Sequence, residues 1–175
     1  STLASKVPEF PKWSGTESLV VDRADLNQAQ IHIGFKGIPR NIPEFLELRA
    51  AQRILGGGFG SRLFSEVRER RGLTYSIYLW MEARSQSGPM SISTFTRLDK
   101  FDETVQESIK VYRDFVNQGV TDQEVEDARQ ELRGQFPRLV ETPEALASQL
   151  LVLSRYGVPS DYLTNFYENL EKLNK

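Results

Sequence analysis

Residues 54–75, ILGGGFGSRLFSEVRERRGLTY, constrain the fold of this chain more than any other stretch. Gly56, Gly57, Gly58 and Gly60 stand almost side by side. Glycine loses more backbone freedom on ordering than any other residue, so no regular element runs through such a cluster. The preceding residues, IPEFLELRAAQRIL, predict a helix with Pro43 at its first position. Phe45, Leu46, Leu48, Ala50, Ala51, Ile54 and Leu55 spread around most of its circumference, which predicts a buried helix. Gly56 to Gly58 stop it. Ser61 caps a second helix, RLFSEVRERR, whose apolar face is Leu63, Phe64 and Val67 and which Gly72 ends. LTYSIYLWME then predicts a strand from its aromatic and β-branched content.

The glycines invite comparison with phosphate-binding loops, and they fail it. A phosphate loop needs a lysine, and none is present here. A dinucleotide fingerprint follows a strand and opens a helix, whereas this run follows a helix and has Ser61 where the third glycine belongs. The structural reading is a tight corner at positive φ where two helices meet. A bare corner also lets a peptide backbone come close, with Gly57 and Gly58 as the candidate contacts. The two readings are compatible.

Elsewhere, Leu19 to Val21 and Gln30 to Phe35 predict strands, and in the second Ile31, Ile33 and Phe35 alternate with polar residues or glycine. PMSISTFT predicts the hairpin partner of LTYSIYLWME. Phe101, Val105, Ile109, Tyr112 and Val116 recur at helical spacing up to Gly119. Thr121 to Glu124 form a capping box for the next helix. Thr142 and Pro143 open another that Gly157 ends. Ser160 or Asp161 caps a last one through Leu170. This order predicts an α+β fold: a mainly antiparallel sheet with helices packed on one face.

Composition narrows the function. The chain has 175 residues and a formal net charge of −2, which suit one domain with a sizeable core and argue against a dedicated nucleic-acid binder. There is no cysteine, so disulfides and thiolate metal sites are excluded and the redox compartment is unreadable. No apolar run approaches the ~20 residues of a membrane span. Residues 1–17 carry Pro8, Pro11 and Gly15 and read as a linker or boundary segment, leaving 18–175 as one α+β domain.

Three groups are candidates for chemistry. His32 is the only histidine; a zinc site normally needs several ligands, so His32 reads as a sheet residue making one hydrogen bond. Arg68 sits at the border of its helix's apolar face, and Tyr75 follows across Gly72. A guanidinium and a phenol converging on one point can donate to a peptide carbonyl or a developing oxyanion. Against this, strict alternation places Tyr75 with Leu73, Ile77, Leu79 and Met81 on an apolar face, as a core tyrosine. Likewise RERR reads as a solvated face.

ILGGGFGSRLFSEVRERRGLTYSIY resembles the signature of the second half-domain of pitrilysin-type (insulinase-type) zinc metallopeptidases, the family of the mitochondrial processing peptidase. LNQAQIHIGFKGIPR, GPMSISTFT and the helical segments after them extend the likeness from about Val20 to Leu170. The resemblance implies paired α/β halves closing like a clam. One half holds zinc through an inverted H-x-x-E-H helix; the other lacks the metal and lends an Arg and a Tyr. Those positions match Arg68, for binding the substrate main chain, and Tyr75, for hydrogen bonding to the tetrahedral intermediate. PEFLELRAAQRI, where the zinc helix would fall, has no histidine. The resemblance therefore implies the non-zinc half of an endopeptidase, inert alone, with zinc in a homologous partner half and an unstructured peptide as substrate. A non-catalytic structural or peptide-binding module of the same fold is the alternative it leaves.

Overall fold

The computed structural model describes residue 19 and residues 26–174. The expected boundary segment 1–17 and the strand from Leu19 to Val21 lie outside the described residues, apart from Leu19 itself. Among the described residues three strands form an antiparallel sheet in the order β1-β3-β2: β1 Gln28–Lys36, β2 Ile77–Met81 and β3 Pro89–Arg97. Among the described residues the helices are α1 Phe45–Gly56, a π-helix Phe64–Arg70, a 3-10 turn Leu98–Lys100, α2 Phe101–Gln118, α3 Asp122–Val140, α4 Pro143–Tyr156, α5 Asp161–Thr164 and α6 Phe166–Glu171. The α+β reading of the sequence is the observed fold.

Register explains the two faces of the sheet. Cross-strand rows Ile31–Thr94–Ile77 and Ile33–Ile92–Leu79 point inward, and Ile31, Ile77, Leu79 and Ile92 are buried. The intervening rows, His32–Ser93–Tyr78 and Gly34–Ser91–Trp80, point outward. Tyr78 and Trp80 are exposed there. The period of two along each strand enforces this division.

Among the described residues two apolar clusters make the core. One joins the inward sheet face to Leu55, Leu63, Val67, Leu73 and Val111. The other joins Leu46, Ala50 and Ile54 of α1 to Val125, Ala128, Leu132 and Phe136 of α3 and to Phe166 and Leu170 of α6. Helix α1 feeds both, so its nearly all-round apolar pattern is used on more than one side.

Several helix ends match their local signals. Thr121 and Glu124 make both bonds of the capping box, Thr142 Oγ1 accepts from Ala145 N at 3.1 Å, and Gly119 and Gly157 take positive φ. Other expectations need correction. Helix α1 begins at Phe45 with Glu44 as its cap, so Pro43 precedes the helix. Ser61 does not cap; its hydroxyl donates back to the Gly58 carbonyl at 2.7 Å. The last helix breaks at Asn165 into α5 and α6, and Ser160 makes no side-chain cap. In α2 the buried residues are Thr104, Glu107, Ser108 and Val111, while Phe101 and Val116 are exposed. The α2 seam is rotated from the apolar stripe, and its buried polar groups find partners except Glu107 Oε1, which makes no hydrogen bond among the described residues. Thr104 and Ser108 hydroxyls donate to carbonyls one turn back, and Glu107 pairs with Arg71.

Candidate functional site

The glycine corner does not use positive φ. Among the described residues only Gly72, Gly119 and Gly157 do. Close packing accounts for Gly56 and Gly57 instead. A Cβ on Gly56 would lie 2.6 Å from both the Cβ and the backbone N of Leu79, and one on Gly57 would lie 2.6 Å from the Cα of Arg53. Helix α1 thus presses its end onto β2, and Gln52 Nε2 donates to the Leu79 carbonyl at 2.6 Å. Gly58 accepts at its carbonyl from both Ser61 N and Ser61 Oγ.

The segment that carries Arg68 is a π-helix, an element that occurs mostly as short interruptions and often at functional sites. Leu63, Phe64 and Val67 anchor it, buried as their pattern predicts. It ends as expected at Gly72, whose φ is +63°; Gly72 N donates to Arg68 O at 2.9 Å and Leu73 N to Val67 O at 3.0 Å. Arginines 62, 70 and 71 all find carboxylates. Arg62 grips Glu124 through Nε and Nη2, Arg70 pairs with Glu66, and Arg71 pairs with Glu107. Arg68 meets no carboxylate among the described residues. Its guanidinium carbon lies 4.5 Å from the centroid of the Phe64 ring and 4.8 Å from that of Tyr75. Phe59, itself exposed, packs edge-on to Phe64 at 5.0 Å. The result is a column of Phe59, Phe64, Arg68 and Tyr75.

Tyr75 is 73% exposed and precedes β2. It is not a core tyrosine. Leu73 and Thr74 are both buried, so alternation slips by one residue before Ile77 restores it. Hydroxyls of β3 and of Thr74 hold the slipped segment where ladder pairing has not begun. Thr96 Oγ1 donates to Leu73 O at 2.6 Å, Thr74 Oγ1 to Phe95 O at 2.6 Å, and Thr94 Oγ1 lies 2.8 Å from Ser76 O. Sequence reasoning passed over these threonines. The available signal was STFT, which places two hydroxyls on an inward, otherwise apolar strand face.

Half-buried Arg68 and exposed Tyr75 therefore stand together, cation against ring, and neither the guanidinium nor the phenol has a hydrogen-bond partner among the described residues. Such donors can receive a carbonyl or an oxyanion from outside. Residues 3–132 match the family model described as the peptidase M16 inactive domain. The chain belongs to the peptidase M16 family. It is 29% identical to an uncharacterised zinc protease, YmxG, of Bacillus subtilis, over 95% of this chain and 41% of that protein. It is 28% identical to a Helicobacter pylori protein named non-peptidase homolog YmxG, over 85% of this chain and 35% of that one. The crystal structure of a peptidase M16 inactive domain from Pseudomonas fluorescens superposes with a TM-score of 0.79 at 32% identity, covering 85% of this chain and 36% of that one. The chain thus spans well under half the length of these relatives.

Among the described residues no three His, Asp or Glu side chains cluster as a metal site would require. Helix α1 has no histidine. His32 is an exposed sheet residue whose Nδ1 lies 3.0 Å from Ser93 Oγ. A cavity of about 290 Å³ beside the glycine loop, lined by Gly58, Phe59, Asp127 and Glu131 among others, includes neither Arg68 nor Tyr75. None of the described helices is long and apolar enough to cross a membrane.

Proposed function

We propose that this M16 domain is the non-metal half of a zinc endopeptidase and supplies two hydrogen-bond donors to a reaction whose metal belongs to a homologous half. The observation that carries this reading is the convergence of Arg68 and Tyr75 at the surface, uncommitted among the described residues. Arg68 binds a main-chain carbonyl of an extended, unstructured peptide. The two rings fix the plane of the guanidinium and leave its edge N–H groups to the substrate. Tyr75 donates from its phenol to the oxygen that gains charge when the scissile carbonyl becomes tetrahedral. Gly57 and Gly58 adjoin Phe59 at the end of the column and bring bare backbone near the same peptide; Gly58 N–H is the group available, since its carbonyl is already taken twice. No metal chemistry is assigned to this chain.

The test joins the domain to its zinc-bearing half, in trans or as the parent polypeptide, and follows cleavage of an unstructured peptide. Tyr75→Phe and Arg68→Ala should each lower turnover on the order of 100-fold, the usual consequence of losing one such donor. Unchanged turnover in both would remove the roles given to them.

A second reading, a binding or structural module without catalysis, draws on the Helicobacter pylori relative named as a non-peptidase homolog. It predicts that the same assembly binds the peptide and leaves it intact.

A further inference from the structure

We infer that Thr74, Thr94 and Thr96 are positioning residues that set the place of Tyr75, a role whose catalytic consequence rests on the reading above. Thr94 occupies the middle of an inward row between Ile31 and Ile77, both buried. Valine would fill that place equally well, and a buried hydroxyl is unfavourable unless it is hydrogen-bonded. Thr94 and Thr96 are each 3% exposed, and the bonds their hydroxyls make go to the segment around Tyr75.

The protons can be followed one by one. Thr74 Oγ1 donates to Phe95 O at 2.6 Å and accepts from Ser76 N at 3.2 Å. Thr94 Oγ1 has one proton to divide between Ser76 O at 2.8 Å and Thr74 Oγ1 at 2.9 Å. Thr96 Oγ1 gives its proton to Leu73 O at 2.6 Å. Together these bonds hold the backbone on both sides of Tyr75, at Leu73, Thr74 and Ser76, to β3. Strand β2 joins the ladder only at Ile77. The side-chain bonds therefore replace ladder bonds across the slip that turns Tyr75 outward and under Arg68. Regular pairing through residue 75 would instead continue the alternation and turn the phenol inward.

The experiment compares Thr94→Val with Thr94→Ser in the two-half assembly. Thr94→Val should lower kcat about tenfold with little change in KM, and Thr94→Ser, which keeps the hydroxyl, should stay within about twofold of the parent. In a Tyr75→Phe background, Thr94→Val should have no further effect on kcat, because it acts through that phenol. An undiminished effect there overturns the inference. A second readout is independent of turnover: the Arg68 Nε–H resonance, shifted by the Tyr75 ring. Tyr75→Leu defines its position without that ring. Thr94→Val should move the resonance toward that position and Thr94→Ser should not. A resonance that stays put in Thr94→Val sinks the inference even if Tyr75 proves catalytic. One that moves sustains it even if Tyr75→Phe leaves turnover untouched and the proposed function fails. Should Thr94→Val not fold, Thr74→Val at the rim of the core is read on the same resonance by the same criterion.

Discussion

At Arg62 and Glu124 two side chains do several jobs at once. Arg62 holds Glu124 in a two-pronged contact and also donates to the Gly119 carbonyl at 2.8 Å. Glu124 closes the capping box of α3. The Arg62 hydrogen bonds draw the Glu124 carboxyl down to about 2 from an ordinary value near 4.5, against a smaller opposing effect of partial burial. A depressed carboxylate contributes stability that is fully present above its unfolded value and lost as pH falls through its folded value. The window is therefore pH 4.5 down to 2. With solvent screening at this partly exposed site, about 1–2 kcal/mol is expected. Glu124→Gln keeps a capping side chain and removes the charge. It should lower stability by that amount at pH 7, and the gap to the parent should close near pH 2, as urea titrations at the two pH values would register. Gly56 and Gly60 make a second contrast. Gly56→Ala drives a methyl into Leu79 and should cost about 1–3 kcal/mol. Gly60→Ala meets no atom within 4 Å and has ordinary φ, so its melting temperature should barely change.

The elements around the site differ in how plainly they were written. The capping box, the Gly72 stop and the Leu63, Phe64 and Val67 face depend on neighbours within a turn, and each appears as its pattern predicts. The π-helix was not legible. By its residues FSEVRER reads equally well as an α-helix. The slip at Thr74 was hidden for a related reason. Alternation assumes that ladder pairing runs the length of a strand, and here it is replaced for a few residues by hydroxyls from β3. The stripe of α2 misled because apolar periodicity cannot register that Thr104 and Ser108 are buried with their hydroxyls bonded one turn back, or that Glu107 is buried with one carboxylate oxygen on Arg71.

For the whole molecule the decisive fact is that α1 contributes to both apolar clusters. Loss of packing in the helical cluster should therefore be transmitted to the sheet cluster beneath the site. Phe136 stacks on Phe166 with centroids 4.1 Å apart and is buried. Phe136→Ala should lower stability by about 3–5 kcal/mol. Far-UV circular dichroism and, in a Trp13→Phe background, the fluorescence of Trp80 on the sheet should still report one coincident transition. Separate transitions would show that the two clusters melt independently.

By itself the sequence determined the fold class, the glycine stops of the two helices beside the site, the candidacy of Arg68 and Tyr75 and the M16 family, because these follow from short-range signals and from a long, specific motif. Tertiary structure alone decided that α1 packs on β2 through Gly56, that α2 buries hydroxyls, and that Tyr75 leaves the core to lie against Arg68. Each of those depends on atoms from segments far apart in the chain. Neither period nor propensity records which distant hydroxyl will take the place of a backbone hydrogen bond.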